Sequence, residues 1–175
     1  MTTPLVDAAV LVPVFRDLDD ALRTLLVVRS DHGRHGNQLG FPGGKPEPGD
    51  ADFLATALRE AEEEVGLDRS AVDILAALAP LETQQTGFRV FAYVGRVPHD
   101  TVWRLDATEI VGVLTPTVEQ LGEPTARATL PFTSSHFPDG LMVEGIDVDG
   151  HVLWGMTLRL LDQLVPRLLA GEWRI

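Results

Sequence analysis

The chain has 175 residues, of which 45% are hydrophobic, with a formal net charge of −12 and no cysteine. That length suits one domain with a substantial core, so residues 1–175 are read as a single domain. The acidic balance argues against nucleic acid as a partner, and the lack of cysteine excludes disulfides and thiolate metal sites and suits the cytoplasm.

Ala8 to Phe15 reads as a buried strand; the run carries Pro13 and no basic leader, unlike a signal peptide. Arg23 to Arg29 reads as one neighbouring strand, with Asp17 to Asp20 as the turn between. A polar loop, Ser30 to Asn37, leads to a short strand at Gln38 to Pro42. Residues 51–65 read as a helix with Asp50 as N-cap and Gly66 as the stop. Strands follow at Val72–Leu81, Phe88–Val94 and Thr108–Leu114, then a short helix at Val118–Leu121. Gly122 to Phe137 reads as mostly loop, with a strand near Ala128–Phe132. Leu141–Ile146 and His151–Trp154 should pair across Asp149-Gly150. Thr157 to Leu169 closes the series as an amphipathic helix that Pro166 should kink or shorten. No apolar run approaches the roughly 20 residues that span a bilayer, so no membrane partner is expected. Strands mixed with two main helices predict an α/β/α sandwich on a mixed sheet.

The chemistry concentrates in the 51–65 helix. On a helical wheel Leu54, Ala57, Leu58, Ala61 and Val65 form an apolar stripe. Glu60, Glu63 and Glu64 gather on another side at i, i+3 and i+4, and Arg59 stands one turn before Glu63. Like charges at these spacings weaken a helix by roughly 0.2–0.5 kcal/mol per pair. A solvated acidic face is the ordinary explanation. Here, however, Arg59 alone balances four glutamates (60, 62, 63 and 64), and no lysine is interleaved. Mg²⁺ or Mn²⁺, which prefer clustered oxygen ligands, would relieve the repulsion. Such an ion would also reverse the local sign and draw phosphate oxygens in.

The stretch Phe41 to Leu67 resembles the signature of the Nudix hydrolases, G-x5-E-x7-R-E-U-x-E-E-x-G-U, where U is a bulky aliphatic. Gly44 takes the first position, Asp50 the acidic one, and Arg59, Glu60, Ala61, Glu63, Glu64, Gly66 and Leu67 the second half. Asp50 replaces the usual Glu, Ala61 is small, and eight residues instead of seven separate Asp50 from Arg59. The resemblance implies a metal-dependent enzyme that hydrolyses the pyrophosphate of a nucleoside diphosphate linked to another group. It assigns Glu60, Glu63, Glu64 and the Gly44 carbonyl to Mg²⁺ or Mn²⁺, and catalytic roles to Arg59, Glu63 and Glu64. Glu109 is a further carboxylate candidate for the general base; a surface strand residue is the equal alternative.

Leu25 to Ser30 (LLVVRS), an Arg/His/Gly loop and Phe41 to Gly44 (FPGG) resemble the added motif of the coenzyme A pyrophosphatase branch, which also carries the longer spacing before the arginine. Thr86 to Val90 and Trp154 to Thr157 look like further segments of that branch. The implied reaction splits coenzyme A into 3′,5′-ADP and 4′-phosphopantetheine, with Arg29, Arg34 and His35 as phosphate contacts. Alternatives are ADP-ribose, a dinucleoside polyphosphate or an oxidised nucleotide, and then a non-catalytic nucleotide sensor. Trp154 and Phe88 read as core. A homodimer is the base-rate expectation for a soluble enzyme.

Overall fold

The computed structural model describes residues 5–30, 37–83 and 87–175. Strand β1 (Val6–Arg16) is its spine. Ala9, Leu11 and Phe15 enter one core, while Ala8, Val12 and Val14 enter another. Period-two geometry requires this of a strand covered on both faces.

The Arg23–Arg29 run is not one strand. Leu22–Thr24 (β2) pairs with β1, whereas Leu26–Arg29 (β3) joins a second sheet. The switch has a cause in Pro13, which sits where the β1–β2 ladder would continue. Proline brings no N–H, and its carbonyl accepts from both the Leu25 N–H and the Thr24 hydroxyl. The expected Gln38–Pro42 strand is shorter, β4 (Leu39–Gly40) on β3, and a separate short strand beyond it, β5 (Gly43–Gly44), pairs with β1.

Helix α1 (Phe53–Val65) follows, then a 3₁₀ turn at Arg69–Ala71. The Val72–Leu81 run breaks before Pro80 into β6 (Asp73–Ala77) and β7 (Leu81–Thr83). Strand β8 (Phe88–Arg96) lies parallel to β1 and antiparallel to β6 and β7. The first sheet is therefore mixed, in the order β2-β1-β8-β6, with β5 on β1 and β7 on β8. Strand β9 (Ile110–Leu114) completes the second sheet, β4-β3-β9. Thr117 and Gln120 form a capping box on α2 (Val118–Gly122).

The 122–137 stretch is more regular than expected. It contains β10 (Arg127–Ser134), paired with a long β11 (Phe137–Val148), which in turn pairs with β12 (His151–Trp154). Pro131 is tolerated because β10 is an edge strand. Asp149 and Gly150 both take left-handed φ values, 51° and 82°, as the hairpin turn demands. Helix α3 (Gly155–Leu169) runs through Pro166 without stopping. Pro166 faces solvent in the last turn, where water can serve the freed carbonyl.

Ala57, Ala61 and Val65 of α1 pack on the Ala9/Leu11 side of the first sheet. Leu158, Leu161 and Leu164 of α3 pack on the Ala8/Val12 side. A mixed sheet thus lies between two helices, as the sequence predicts.

Candidate functional site

Helix α1 carries the acidic face. Its N-cap is Asp52, whose side chain accepts from the Ala55 N–H at 2.8 Å, so Asp50 is not the cap. Ala57 and Ala61 are fully buried, and their small size brings the helix close to β1. Gly66 ends the helix at φ 69°, with the Gly66 N–H on the Glu62 carbonyl and the Leu67 N–H on Ala61. This is the left-handed stop that glycine permits. The following loop is stitched on: the Arg104 N–H donates to the Val65 carbonyl and the Asp106 N–H to the Glu64 carbonyl.

Asp50 anchors Arg59. Arg59 Nε and Nη2 donate to its two oxygens at 3.0 Å each, in a bidentate pair. Asp50 also accepts from the Thr56 hydroxyl and the Glu47 N–H, both at 2.9 Å. The Arg59 hydrogen bonds hold its carboxyl well below the usual carboxylate range. From that anchor Arg59 Nη1 reaches Glu60 at 3.1 Å and Glu63 at 2.8 Å, and Nη2 reaches the Lys45 carbonyl at 3.0 Å. Aspartate with the longer spacing therefore does the work of fixing the arginine.

The three glutamates share a quadrant of the wheel but not an environment. Glu63 is half-exposed (55%) and touches Arg59. Glu60 lies against Gly44 so closely that a β-carbon there would collide with its carboxyl. Burial pushes the Glu60 carboxyl up; Arg59 opposes this, while Glu63 and Glu109 add repulsion. Glu64 is 2% exposed. It accepts from Arg29 Nη1 at 2.6 Å and from the Gly43 N–H at 3.1 Å. Burial raises its carboxyl too, against the pull of Arg29.

Arg29, expected to contact phosphate, is held inside the protein by carboxylate and carbonyl oxygens. Its guanidinium serves Glu64 and the carbonyls of Gly43 (3.0 Å) and Phe41 (3.4 Å). Arg34 and His35 lie outside the described residues. Glu109 is exposed in the turn just before β9, not in the strand. Buried Ser30 fixes that turn: its N–H donates to the Glu109 carbonyl at 2.7 Å and its hydroxyl to the Thr108 carbonyl at 3.1 Å. Sequence reasoning assigned no task to Ser30 or Thr56; the one available signal for Ser30 was its place beside Arg29.

Two concavities lie elsewhere, one between α2 and the β11–β12 hairpin, the other beside Arg96 and His99. Neither includes a residue of α1.

The chain has relatives among known proteins in both sequence and fold. A family profile described as the NUDIX domain matches residues 5–135. The chain belongs to the Nudix family. A Yersinia pestis relative, described as an uncharacterized Nudix hydrolase, NudL, is 34% identical over 168 residues, covering 91% of this chain and 78% of the relative. A Yersinia enterocolitica NudL is 46% identical over 107 residues, and that stretch spans 61% of this chain and 53% of the relative. Among solved structures, the Mycobacterium smegmatis Nudix hydrolase RenU matches with a TM-score of 0.67 at 13% identity, covering 99% of this chain and 91% of its own. The NUDIX domain of Shewanella oneidensis NrtR, solved with ADP-ribose, matches at 0.60 and 16% identity, covering 95% and 90%. At these identities the structural likeness shows the fold alone.

Nudix hydrolases act on pyrophosphate bonds with the help of divalent cations, and the donor set here fits such an ion. The Glu60 carboxylate lies beside Gly44, and Glu63 reaches the same Arg59 guanidinium, so their hard oxygens are held on one side of the helix. Among the described residues, no three Asp, Glu or His side chains are grouped as an ion cage in the conformation observed. The reason is visible: Arg59 and Arg29 draw the carboxylates to themselves.

Proposed function

We propose that the chain, acting as a single domain, hydrolyses the pyrophosphate of coenzyme A or a derivative to 3′,5′-ADP and 4′-phosphopantetheine. The observation that carries the hydrolase reading is the Arg59 hub, which ties Asp50, Glu60 and Glu63 and the Lys45 carbonyl to one guanidinium. Such a hub pre-orients oxygen ligands before substrate arrives. The LLVVRS and FPGG segments support coenzyme A, and the geometry gives them a physical part: Arg29 seats Glu64, and Ser30 seats the Glu109 turn.

Glu60, Glu63 and the Gly44 carbonyl are the proposed ligands of Mg²⁺ or Mn²⁺. When bound, the ion neutralises the pyrophosphate and acidifies the attacking water. Glu64, buried under Arg29, is assigned to positioning, since it does not meet solvent. Glu63 is the proposed general base because it combines exposure with, among the described residues, an ion pair to Arg59. Glu109 is the second candidate, since its charge acts on Glu60 across the site. The working unit is proposed to be a cytoplasmic homodimer with a small nucleotide as substrate; sedimentation tests the dimer.

The experiment is a panel of coenzyme A, ADP-ribose and a dinucleoside tetraphosphate with Mg²⁺ or Mn²⁺, products identified and kcat/KM compared. Glu63→Gln should keep the fold and lose nearly all turnover. A higher kcat/KM on ADP-ribose would overturn coenzyme A; parent-like turnover by Glu63→Gln would overturn the assigned base.

A further inference from the structure

The Arg59 hub has a buried footing on its own helix. Thr56 is fully buried, and at i, i+3, i+4 and i+7 it shares a face of α1 with Arg59, Glu60 and Glu63. A helical threonine hydroxyl ordinarily returns to the carbonyl four residues back. Here that carbonyl, of Asp52, lies 3.3 Å away and the Asp50 carboxylate 2.9 Å. The single hydroxyl proton therefore goes to the nearer, charged acceptor. The branched β-carbon, packed without exposure, restricts the directions that hydroxyl can take.

A carboxylate has room for about four hydrogen bonds, and that of Asp50 is filled. Arg59 gives it two, the Glu47 N–H one and the Thr56 hydroxyl one. Arg59 is the group being placed, so it cannot serve as its own reference. Glu47 lies in the exposed 45–49 loop. Thr56 is thus the donor that ties Asp50 to the body of α1. It closes a circuit from the helix to Asp50, on to Arg59, and back to Glu60 and Glu63 of the same helix. The Asp50 and Arg59 side chains are only 7% and 11% exposed, so water is poorly placed to replace a lost donor.

We infer that Thr56 is a positioning residue of the ion site: its hydroxyl fixes Asp50, and through Asp50 and Arg59 it sets the directions of the Glu60 and Glu63 carboxylates. Thr56 itself touches neither ion nor substrate. The inference rests on the reading of Glu60 and Glu63 as ion ligands, and its test includes a readout on metal-free protein.

Mn²⁺ binding to the whole chain is measured by electron paramagnetic resonance, and exchange of the Arg59 Nε–H with water by NMR without metal. Thr56→Val, close in shape but lacking the hydroxyl, should weaken Mn²⁺ about tenfold, the low end of the roughly 10–100-fold cost of losing a partner of a metal ligand. It should also speed exchange of the Arg59 Nε–H. Thr56→Ser returns the hydroxyl and should bring both readouts to within about threefold of the parent. In an Asp50→Ala background Thr56→Val should change neither readout further, because the path through Asp50 is already cut. Thr56→Ala repeats the comparison should the valine variant fail to fold. Parent Mn²⁺ affinity or parent Nε–H exchange in Thr56→Val, an additive cycle with Asp50→Ala, or a serine variant no better than valine overturns the inference. Glu60→Gln serves as the control for the ion site and should weaken Mn²⁺ by itself. If Glu60→Gln weakens Mn²⁺ and Thr56→Val does not, the positioning role fails and the ion site stands. If Glu60→Gln leaves Mn²⁺ unchanged, the ion-site reading fails and takes this inference with it.

Discussion

Replacing Arg29 by methionine should destabilise the fold by about 3 kcal/mol. Removing one partner of a buried ion pair costs about 3–5 kcal/mol, because the other charge is left stranded. The Glu64 side chain is 3% exposed and that of Arg29 22%. Glu64 also keeps the Gly43 N–H, so the lower end of that range applies. In a domain of this size about 1 kcal/mol corresponds to roughly 2–4 °C, giving a fall in Tm of about 6–12 °C by calorimetry. Adding Glu64→Gln should recover part of the loss, with a coupling of about 1–2 kcal/mol, since the neutral amide removes the stranded charge. Arg29→Lys should fall between, because one ammonium cannot serve the carboxylate and both carbonyls in a fork. An Arg29→Met protein melting within about 1 °C of the parent, or a strictly additive double variant, would refute the reasoning.

Gly44→Ala should keep Tm within about 2 °C yet lower kcat about 100-fold, because the methyl group displaces the movable Glu60 carboxyl. Gly43→Ala should instead lose at least about 1–3 kcal/mol of stability, since its β-carbon meets the Ala9 carbonyl and stands 2.7 Å from Val10 Cα, both immovable backbone. Asp50→Asn tests the Arg59 anchor through pH. The Asp50 carboxyl is depressed by Arg59, so its contribution is complete above the unfolded value near ~4 and is lost as pH falls through the folded one. Urea midpoints of parent and variant should differ equally at pH 8 and pH 5 and begin to draw together only below about pH 4. Glu109→Gln should lower kcat by less than tenfold if Glu63 is the base; a loss of about 10²–10⁴ would transfer that role to Glu109.

Periodicity and spacing exposed the helix, its glycine stop and the acidic quadrant, because those depend on neighbours within one turn. They could not reveal that Glu60, Glu63 and Glu64 occupy three different burials. That is decided by β3 and β5 arriving from 20 or more residues upstream, with Arg29 and the Gly43 N–H. Asp50 was misread as a cap for a related reason. Two aspartates flank the helix start, and only tertiary contact with Arg59 tells them apart. The β2–β3 break was hidden in an unbroken apolar run; its cause, Pro13, lies on a different strand. Strand β10 is expected near Ala128–Phe132 and runs from Arg127 to Ser134, longer than its proline and polar residues suggest because these are acceptable at a sheet edge.

The stitching of residues 104–106 onto the end of α1 has a consequence for diversification. Two backbone hydrogen bonds make that segment an extension of the helix's own ladder, so α1 and the approach to Glu109 are geometrically one piece. The stretch just before it, His99 to Val102, is mostly open to water and held by a single local turn from Pro98 to Thr101. Length changes and foreign loops should be accepted there without disturbing the acidic face, whereas a one-residue deletion at 104–106 would pull Glu109 out of line.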